Sequence, residues 1–387
     1  MPSLASIAAE LGVSRTTVSN AYNHPDQLSA ELRERILAAA ERAGYSGPDP
    51  MARSLRTQRT GAIGVVLTEA LSFAFEDRAS VDFLAGLSSV PDYSLTLIPA
   101  GASVHDAIVD GIVVYSVADS DPQLLDARAR GLPLVVCDQP KALDVPFVGI
   151  DDYAAARSSA QLLIDAGHTR IGILAKRMFS APFNGVVGSG GGVGGVGGGV
   201  GGVGAAAPGG TEVAAADLDV QRERVQGALD VFAEAGIGPV PVVTRHLNDA
   251  DSAADGAREL LGLFPDLTAV FCTTDSMALG VVAAFGERVV GVGAGVSGAG
   301  GAGSGAGGPL SLVGFDGIDE ALHRGITTVI QPNRQKGEEA AMLLRSLMER
   351  AGESGGASAS VDRPVGQPAQ IILETEISPG RTVAPPV

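Results

Sequence analysis

SLASIAAELGVSRTTVSNAYN, residues 3–23, decides how the rest of the chain is read. Ser3 is a good N-cap, and Leu4, Ile7, Ala8 and Leu11 follow at helical spacing until Gly12 stops the turn. Val13 is an apolar turn residue. Ser14 then caps a second helix, Arg15 to Tyr22, whose Val18 and Ala21 face inward. Its other face carries Arg15, Thr16, Ser19 and Asn20, short polar or forked side chains suited to base edges and phosphates. A third helix starts at Ser29 and runs through Leu32, Ile36, Leu37 and Ala40 to a Gly44 cap, closing a three-helix core. The pattern is a helix-turn-helix head-piece. An ordinary small helical bundle is the competing reading, but it has no need of Ser-Arg-Thr-Thr on an exposed face.

Asp49 and Pro50 supply a cap and a first-turn proline for one short helix, Met51 to Thr57. A helix this short is unstable alone in water, so it orders only against something else. Leu55 stands between Arg53 and Arg56, and an apolar wedge flanked by cations suits minor-groove insertion with a kink. A plain linker with a chance leucine is the alternative.

Past Gly61 the pattern changes to short apolar runs alternating with helices, which implies parallel sheets covered on both faces. Strands are expected at Ala62–Leu67, Leu95–Ile98, Gly111–Tyr115, Leu134–Cys137, Phe147–Ile150, Ile171–Ala175, Val240–Thr244, Ala269–Cys272 and Leu310–Phe315. Helices are expected at Tyr153–Ala166, Asp217–Ala235, Ser252–Leu263, Ser276–Phe285 and Arg334–Arg350. Such sheets bind ligands beyond the carboxyl ends of their strands.

Six strings appear in order: "LASIAAELGVSRTTVSNAYN", "ARSLRTQRTGAIGVV", "GIDDYAAARSSAQLLIDAGHTRIGIL", "RERVQGALDVFAEAGI", "FCTTDSMALG" and "LSLVGFDG…TTVIQP". Together they resemble the successive signatures of the lactose/galactose repressor (LacI/GalR) family. The resemblance covers most of the chain outside two Gly-rich stretches. It implies an α/β protein with an N-terminal head-piece and hinge helix, followed by a two-lobed, periplasmic-binding-protein-like core of doubly wound parallel sheets. It also implies a homodimer that reads a near-palindromic double-stranded DNA operator and is switched by a small molecule in the interlobe cleft. The expected division is head-piece 1–48, hinge 49–60 and core 61–387. Lobe one takes 61–166 and 331–369, lobe two 167–330 and 370–378, with crossings near Ala166, Gln331 and Gln370.

The expected DNA-contacting set is Ser3, Leu4, Ser14, Arg15, Thr16, Thr17, Ser19, Asn20 and Asn23 in the head-piece, with Arg53, Leu55 and Arg56 in the hinge. For the ligand, Asp275 follows the strand Ala269–Cys272, where a carboxylate can take two adjacent hydroxyls of a sugar or nucleoside; capping the next helix is its alternative role. The resemblance matches Asp275 in "TTDSMALG" to the family's ligand-binding aspartate, and Arg224 in "RERVQG" to an arginine that reaches into the pocket. Phe73 and Phe75 follow the first core strand and suit stacking on a sugar ring, unless they are simply core. Asp152, Tyr115 and Gln331 are weaker candidates, and His168 in "GHTRIG" reads as structural, joining a helix to a strand.

Composition agrees. The net charge of −17 is unusual for a DNA binder, but seven arginines oppose six acids through Thr60, a net of +1 that leaves −18 beyond it. The acidic bulk repels nucleic acid, so specific contact is expected through the head-piece, with steep salt dependence. Met1-Pro2-Ser3 leads straight into a capped helix, so no signal peptide is expected, and the location read from this is cytoplasmic, at the nucleoid. Cys137 and Cys272 each end an apolar run and read as buried thiols rather than a disulfide. No metal-ligand spacing, Walker sequence or nucleophile elbow appears, so neither enzyme nor cofactor is expected, and no stretch reads as a membrane span.

Two segments depart from the family, the Gly-rich runs 185–210 and 292–308, which are expected to be flexible loops on the ligand-binding lobe and put the pocket's completeness in question. Their Gly-x-Gly-x-x-Gly matches lack the strand, helix start and acidic partner of a dinucleotide site. Pro91 leaves little room for a helix before the second strand, and 351–366 reads as a further loop. The tail has no heptad, which favours a dimer over a tetramer. The expectation is a ligand-responsive regulator, a repressor. The alternative is a sugar-binding protein of the periplasmic type without a DNA role.

Overall fold

In the computed structural model the residues described are 3–47, 54, 59–67, 71–91, 93–188, 212–292, 308–353 and 368–387. They form two compact units, Met1–Gly61 and Ala62–Val387.

In the first unit, Ser3 has extended backbone, and its Oγ accepts the Ser6 N–H (3.2 Å) while the Ser6 Oγ accepts the Ser3 N–H (3.0 Å). This reciprocal cap starts α1 (Leu4–Leu11), and Gly12 ends it at φ +69°. Ser14 caps α2 (Arg15–Asn23) by accepting the Thr17 N–H at 3.0 Å. A 3-10 turn, Pro25–Gln27, leads to α3 (Ala30–Arg42), capped by Ser29, with Gly44 left-handed just beyond its end. Ile7, Ala8, Val18, Ala21, Ile36, Ala39 and Ala40 form the core of the unit. The expected hinge residues Arg53, Leu55 and Arg56 lie outside the described residues.

The second unit is two sheets. The first contains β1 (Ala62–Leu67), β2 (Ser94–Ile98), β3 (Gly111–Tyr115), β4 (Leu134–Cys137), β5 (Phe147–Ile150) and β12 (Gln370–Leu373), all parallel, in the order β12-β5-β4-β3-β1-β2. The second contains β6 (Ile171–Lys176), β7 (Gly185–Val187), β8 (Val242–Arg245), β9 (Ala269–Cys272), β10 (Ser311–Asp316), β11 (Thr327–Ile330) and β13 (Glu376–Ser378). Its order is β13-β11-β10-β9-β6-β8-β7, parallel except for the two edge strands. Every residue of β1, β4, β9 and β10 is buried, the mark of strands covered on both faces. The covering helices are α4 (Leu71–Glu76), α5 (Arg78–Leu87), α6 (Pro122–Ala129) and α12 (Asn333–Glu353) in lobe one. Lobe two has α7 (Asp152–Asp165), α8 (Asp219–Glu234), α9 (Ala250–Leu263), α10 (Asp275–Phe285) and α11 (Asp319–His323).

Two of the expected crossings move. Ala155, Ala156, Ala160 and Leu163 of α7 pack with Val225, Ala228, Val231 and Phe232 of α8 in the core of lobe two, so the first crossing is at Asp151, ahead of α7 rather than near Ala166. β12 pairs with β5, so 370–373 belongs to lobe one and the last crossing follows Leu373 rather than falling near Gln370. The second crossing lies between β11 and α12, at Gln331–Pro332.

Lobe one is abbreviated in a different place from the one Pro91 indicated. α5 is complete upstream of that proline, and residues 99–110, between β2 and β3, contain no helix; Val104 and Val109 fill that side of the core. The Gly-rich runs also sit differently from the expectation. Gly185–Val187 is a strand, and residues 189–211 and 293–307 lie outside the described residues. Gly188 bridges Glu212, and Val289 bridges Leu310, so the ends of each run are held together. Val187 pairs with Val242 at the start of β8, and Leu310 immediately precedes β10. Both runs therefore leave from the amino ends of the strands, the end opposite the cleft.

Helices α5 and α12 cross at glycines on both sides. A Cβ on Gly86 would sit 1.9 Å from the Arg334 carbonyl oxygen, and one on Gly337 would sit 2.1 Å from that of Phe83. Gly337→Ala should therefore lower the urea unfolding free energy by about 1–3 kcal/mol or more, because backbone must move. Gly262, in α9 with nothing within 4 Å, is the control: its alanine variant should gain about 0.5–1 kcal/mol.

Candidate ligand and nucleic-acid sites

The capped start of α2 presents Arg15 and Thr16 to solvent, while Thr17, Ser19 and Asn20 are half-buried beside them. The Asn20 amide donates to Gln27 Oε1 (3.0 Å), and the Asn23 amide donates to the carbonyl and hydroxyl of Ser19 (3.0 and 3.1 Å). Ser14 and Thr17 share a hydroxyl contact of 2.8 Å. Ser3 is exposed at the cap of α1, and Leu4 packs against the core. The result is a firm polar ledge with an arginine at one end.

The second site lies between the carboxyl ends of the two sheets. There the backbone is strained: Ser116 (φ +57°), Asp138 (φ +64°) and Asp316 (φ +118°) are non-glycine residues with positive φ, and each ends or immediately follows a strand, β3, β4 or β10. From these positions a continuous buried chain of contacts runs across the molecule. Asp138 Oδ1 accepts from Lys336 Nζ (2.8 Å), and Lys336 also donates to Gln331 Oε1 (3.0 Å). Gln331 Nε2 donates to Asp316 Oδ1 (2.5 Å), which also accepts from Arg224 Nη1 (3.1 Å). Arg224 Nε reaches Asp152 Oδ1 (2.9 Å), Nη1 also reaches the Thr273 carbonyl (2.7 Å), and the guanidinium lies 3.8 Å from the Phe315 ring centroid. Lys336 is 1% exposed and Arg224 4%, so these charges depend on each other rather than on water.

Burial pushes Asp316 up to about 6 despite the opposing Arg224. Burial, then the charge of Asp316, pushes Asp275 up to about 8. Both folded values lie above the ordinary aspartate value near 3.9, so the folded state holds these protons more tightly than the unfolded chain. Their contribution to stability is complete below about pH 4 and is lost as pH rises through about 6 and then about 8. Asp275→Asn should flatten the upper part of that decline in urea unfolding followed from pH 5 to 8.5; an unchanged slope would contradict it.

The sequence candidates separate clearly. Tyr115 stacks on Phe83 (centroids 4.0 Å apart) and, with Asp77, Ser80, Gln139, Lys176 and Arg177, lines a slot of about 70 Å³ between the lobes. Gln331 lines a cavity of about 350 Å³ at the crossing, with Asp82, Asp316, Asn333 and Glu338. Arg224 and Asp152 lie just beneath, locked together. Asp275 is completely buried, with both oxygens turned into lobe two: Oδ1 accepts the Thr328 hydroxyl (2.6 Å) and Oδ2 the Ile318 N–H (2.9 Å). It lines neither of these spaces, and Thr274 rather than Asp275 caps α10. Phe75 is 61% exposed and lines none of these spaces; the side chain of Phe73 lies outside the described residues. His168 is buried, with Nδ1 on Thr268 Oγ1 and Nε2 on the Ala384 carbonyl, tying helix, strand and tail together. Both cysteines are buried and free.

Sequence reasoning missed Asp138, Asp316 and Lys336. The first two follow or end apolar strands in "VVCDQP" and "LVGFDG", a signal the carboxyl-end rule supplies. Lys336 gives none, because a lysine in a charged helix reads as solvated.

A polar recognition ledge on a helix-turn-helix, in one chain with a two-lobed α/β core and a charged cleft, defines a DNA-binding regulator with a ligand-binding core. Residues 3–47 match the bacterial regulatory proteins of the lacI family, and residues 98–354 match the periplasmic binding protein domain. The chain is 46% identical over 397 residues to the HTH-type transcriptional regulator IpsA of Corynebacterium glutamicum, covering 99% of this chain and 97% of that one. A crystal structure of a LacI-family transcriptional regulator from Corynebacterium glutamicum is 42% identical, with 98% of both chains covered and a TM-score of 0.66. The lac repressor dimer bound to operator and the anti-inducer ONPF shares the fold, at 20% identity, 99% coverage of both chains and a TM-score of 0.69. The chain belongs to the LacI family. It is a ligand-responsive, DNA-binding transcriptional regulator and not an enzyme, which removes the alternative of a binding protein without a DNA role. No helix among the described residues is long and apolar enough to cross a membrane.

Proposed function

We propose that the chain is a repressor that acts as a homodimer on a near-palindromic operator and is switched by a small polyhydroxylated molecule, a sugar, sugar derivative or nucleoside, in the interlobe cleft. The buried chain Asp138–Lys336–Gln331–Asp316–Arg224–Asp152 supports this reading most strongly. It alternates acceptors and donors at the carboxyl ends of both sheets, and hydroxyl groups, which both donate and accept, match such an array. Tyr115 and Gln331 contact the ligand, and Arg224 and Asp152 orient those contacts.

On the DNA, Arg15, Thr16 and Asn20 read base edges in the major groove. Ser3, Leu4, Ser14, Thr17, Ser19 and Asn23 set the head-piece on the backbone, and Arg53, Leu55 and Arg56 enter the minor groove. Rotation of one lobe against the other on ligand binding changes the spacing of the paired hinges. Selection of random duplexes by the purified chain, at moderate salt without ligand, tests the DNA half. Enrichment of a palindrome with a flexible pyrimidine–purine step at its centre is expected. No enrichment, with or without pooled metabolites, would overturn it.

A further inference from the structure

The loop after β4, Asp138-Gln139-Pro140-Lys141, belongs to lobe one but reaches lobe two through Gln139 and Lys141. The Gln139 amide bridges the lobes: Nε2 donates to the Ser116 carbonyl at the end of β3 (3.2 Å), and Oε1 accepts the Val220 N–H in the first turn of α8 (2.9 Å). The Lys141 N–H donates to Asp219 Oδ2 (3.2 Å). Lys141 Nζ donates to Glu223 Oε2 and to the Ile150 carbonyl (3.3 Å), and lies 3.3 Å from Asp152 Oδ2. Four of these six partners, Asp152, Asp219, Val220 and Glu223, are in lobe two, and three of them are carboxylates.

The geometry of Asp152 gives this cluster its meaning. Its carboxylate is 1% exposed, with Oδ1 holding Arg224 Nε (2.9 Å) and Oδ2 facing Lys141. Glu223, which Lys141 grips, is the residue before Arg224 on α8. Lys141 thus holds both the helix that carries Arg224 and the carboxylate that aims it. Burial alone would depress the Lys141 ammonium, yet Asp152 and Glu223 outweigh it and raise it above the ordinary lysine value. By contrast, Arg78–Asp319, another ion pair between the lobes (3.4 Å), has side chains 51% and 69% exposed and contributes little.

We infer that the Asp138–Lys141 loop is the latch between the lobes, and that Lys141 is a positioning residue whose contacts hold the lobes closed and set the orientation of Arg224. Its consequence for DNA rests on the reading of the cleft as the effector site. The latch itself does not, so it is tested without DNA or effector.

Because the native Cys137 and Cys272 are fully buried, spin labels attach at cysteines introduced in lobe one (Leu125→Cys, 53% exposed) and lobe two (Leu247→Cys, 57% exposed). Dilution into excess unlabelled chain removes distances between subunits. In this full-length chain, Lys141→Met should give a longer and broader interlobe distance distribution than the parent. Lys141→Arg should keep the parent distribution. A parent-like distribution in folded Lys141→Met would overturn the latch. If Lys141→Met does not fold, Glu223→Gln carries the test, with the same broadening expected and a parent-like result again overturning it. A broadened distribution with no selected operator would leave the latch standing and defeat the regulatory reading instead.

Discussion

Arg224→Leu should lower the unfolding free energy of the core by about 3–5 kcal/mol, the loss seen when one partner of a buried ion pair is removed. Arg224 is 4% exposed and satisfies Asp152, Asp316 and the Thr273 carbonyl while its guanidinium lies over Phe315. Leucine fills part of the volume but removes the paired cation of buried Asp316 and one of the two cations beside buried Asp152, which keeps Lys141. Asp316, already pushed up to about 6, would bind its proton more tightly, so the variant should be least impaired in acid and most impaired above neutral pH. Adding Asp152→Asn and Asp316→Asn should recover much of the loss, because amides need no counter-charge. Urea unfolding of the parent and the two variants at two pH values measures both effects. A loss below about 1 kcal/mol would mean the pairing is no stronger than that of surface ions.

Leu55→Ala should weaken binding to the selected operator by about 30- to 150-fold while leaving binding to an unrelated duplex within about twofold of the parent. The magnitude follows from losing a minor-groove wedge, worth about 2–3 kcal/mol when it stabilises a kinked base step. Specific affinity depends on the kink and non-specific affinity on phosphate contacts, which Arg53 and Arg56 retain in this variant. Binding isotherms on both duplexes at one salt concentration give the comparison. Equal losses on the two would contradict the wedge.

The head-piece was legible almost residue by residue because its caps, turn glycine and apolar spacing are all local. Ser3, Ser14 and Ser29 each cap the helix they announce. The central strands were equally plain: β1, β3, β4, β5 and β9 coincide with their apolar runs. The edges were not. β12 and β13 are half-exposed strands of four and three residues, and which sheet each joins depends on where the chain crosses, a non-local fact. α7 was visible as a helix but its lobe was not, since small residues such as Ala155 and Ala156 fit either core. In the cleft, single polar residues after strands were visible, but their mutual pairing was not. Asp275 faces inward only because Gly314 leaves space for it, a Cβ there coming 2.2 Å from its Oδ1.

The central claim is that ligand in the cleft and operator on the head-piece are energetically coupled. The most direct test titrates sugars, sugar derivatives and nucleosides into the protein and follows each binder by calorimetry. The affinity of the selected operator is then measured with and without that compound. A compound that binds should change operator affinity by about 5- to 150-fold, and operator should change the affinity of the compound by the same factor. A compound bound in the cleft that leaves operator affinity unchanged would contradict the account.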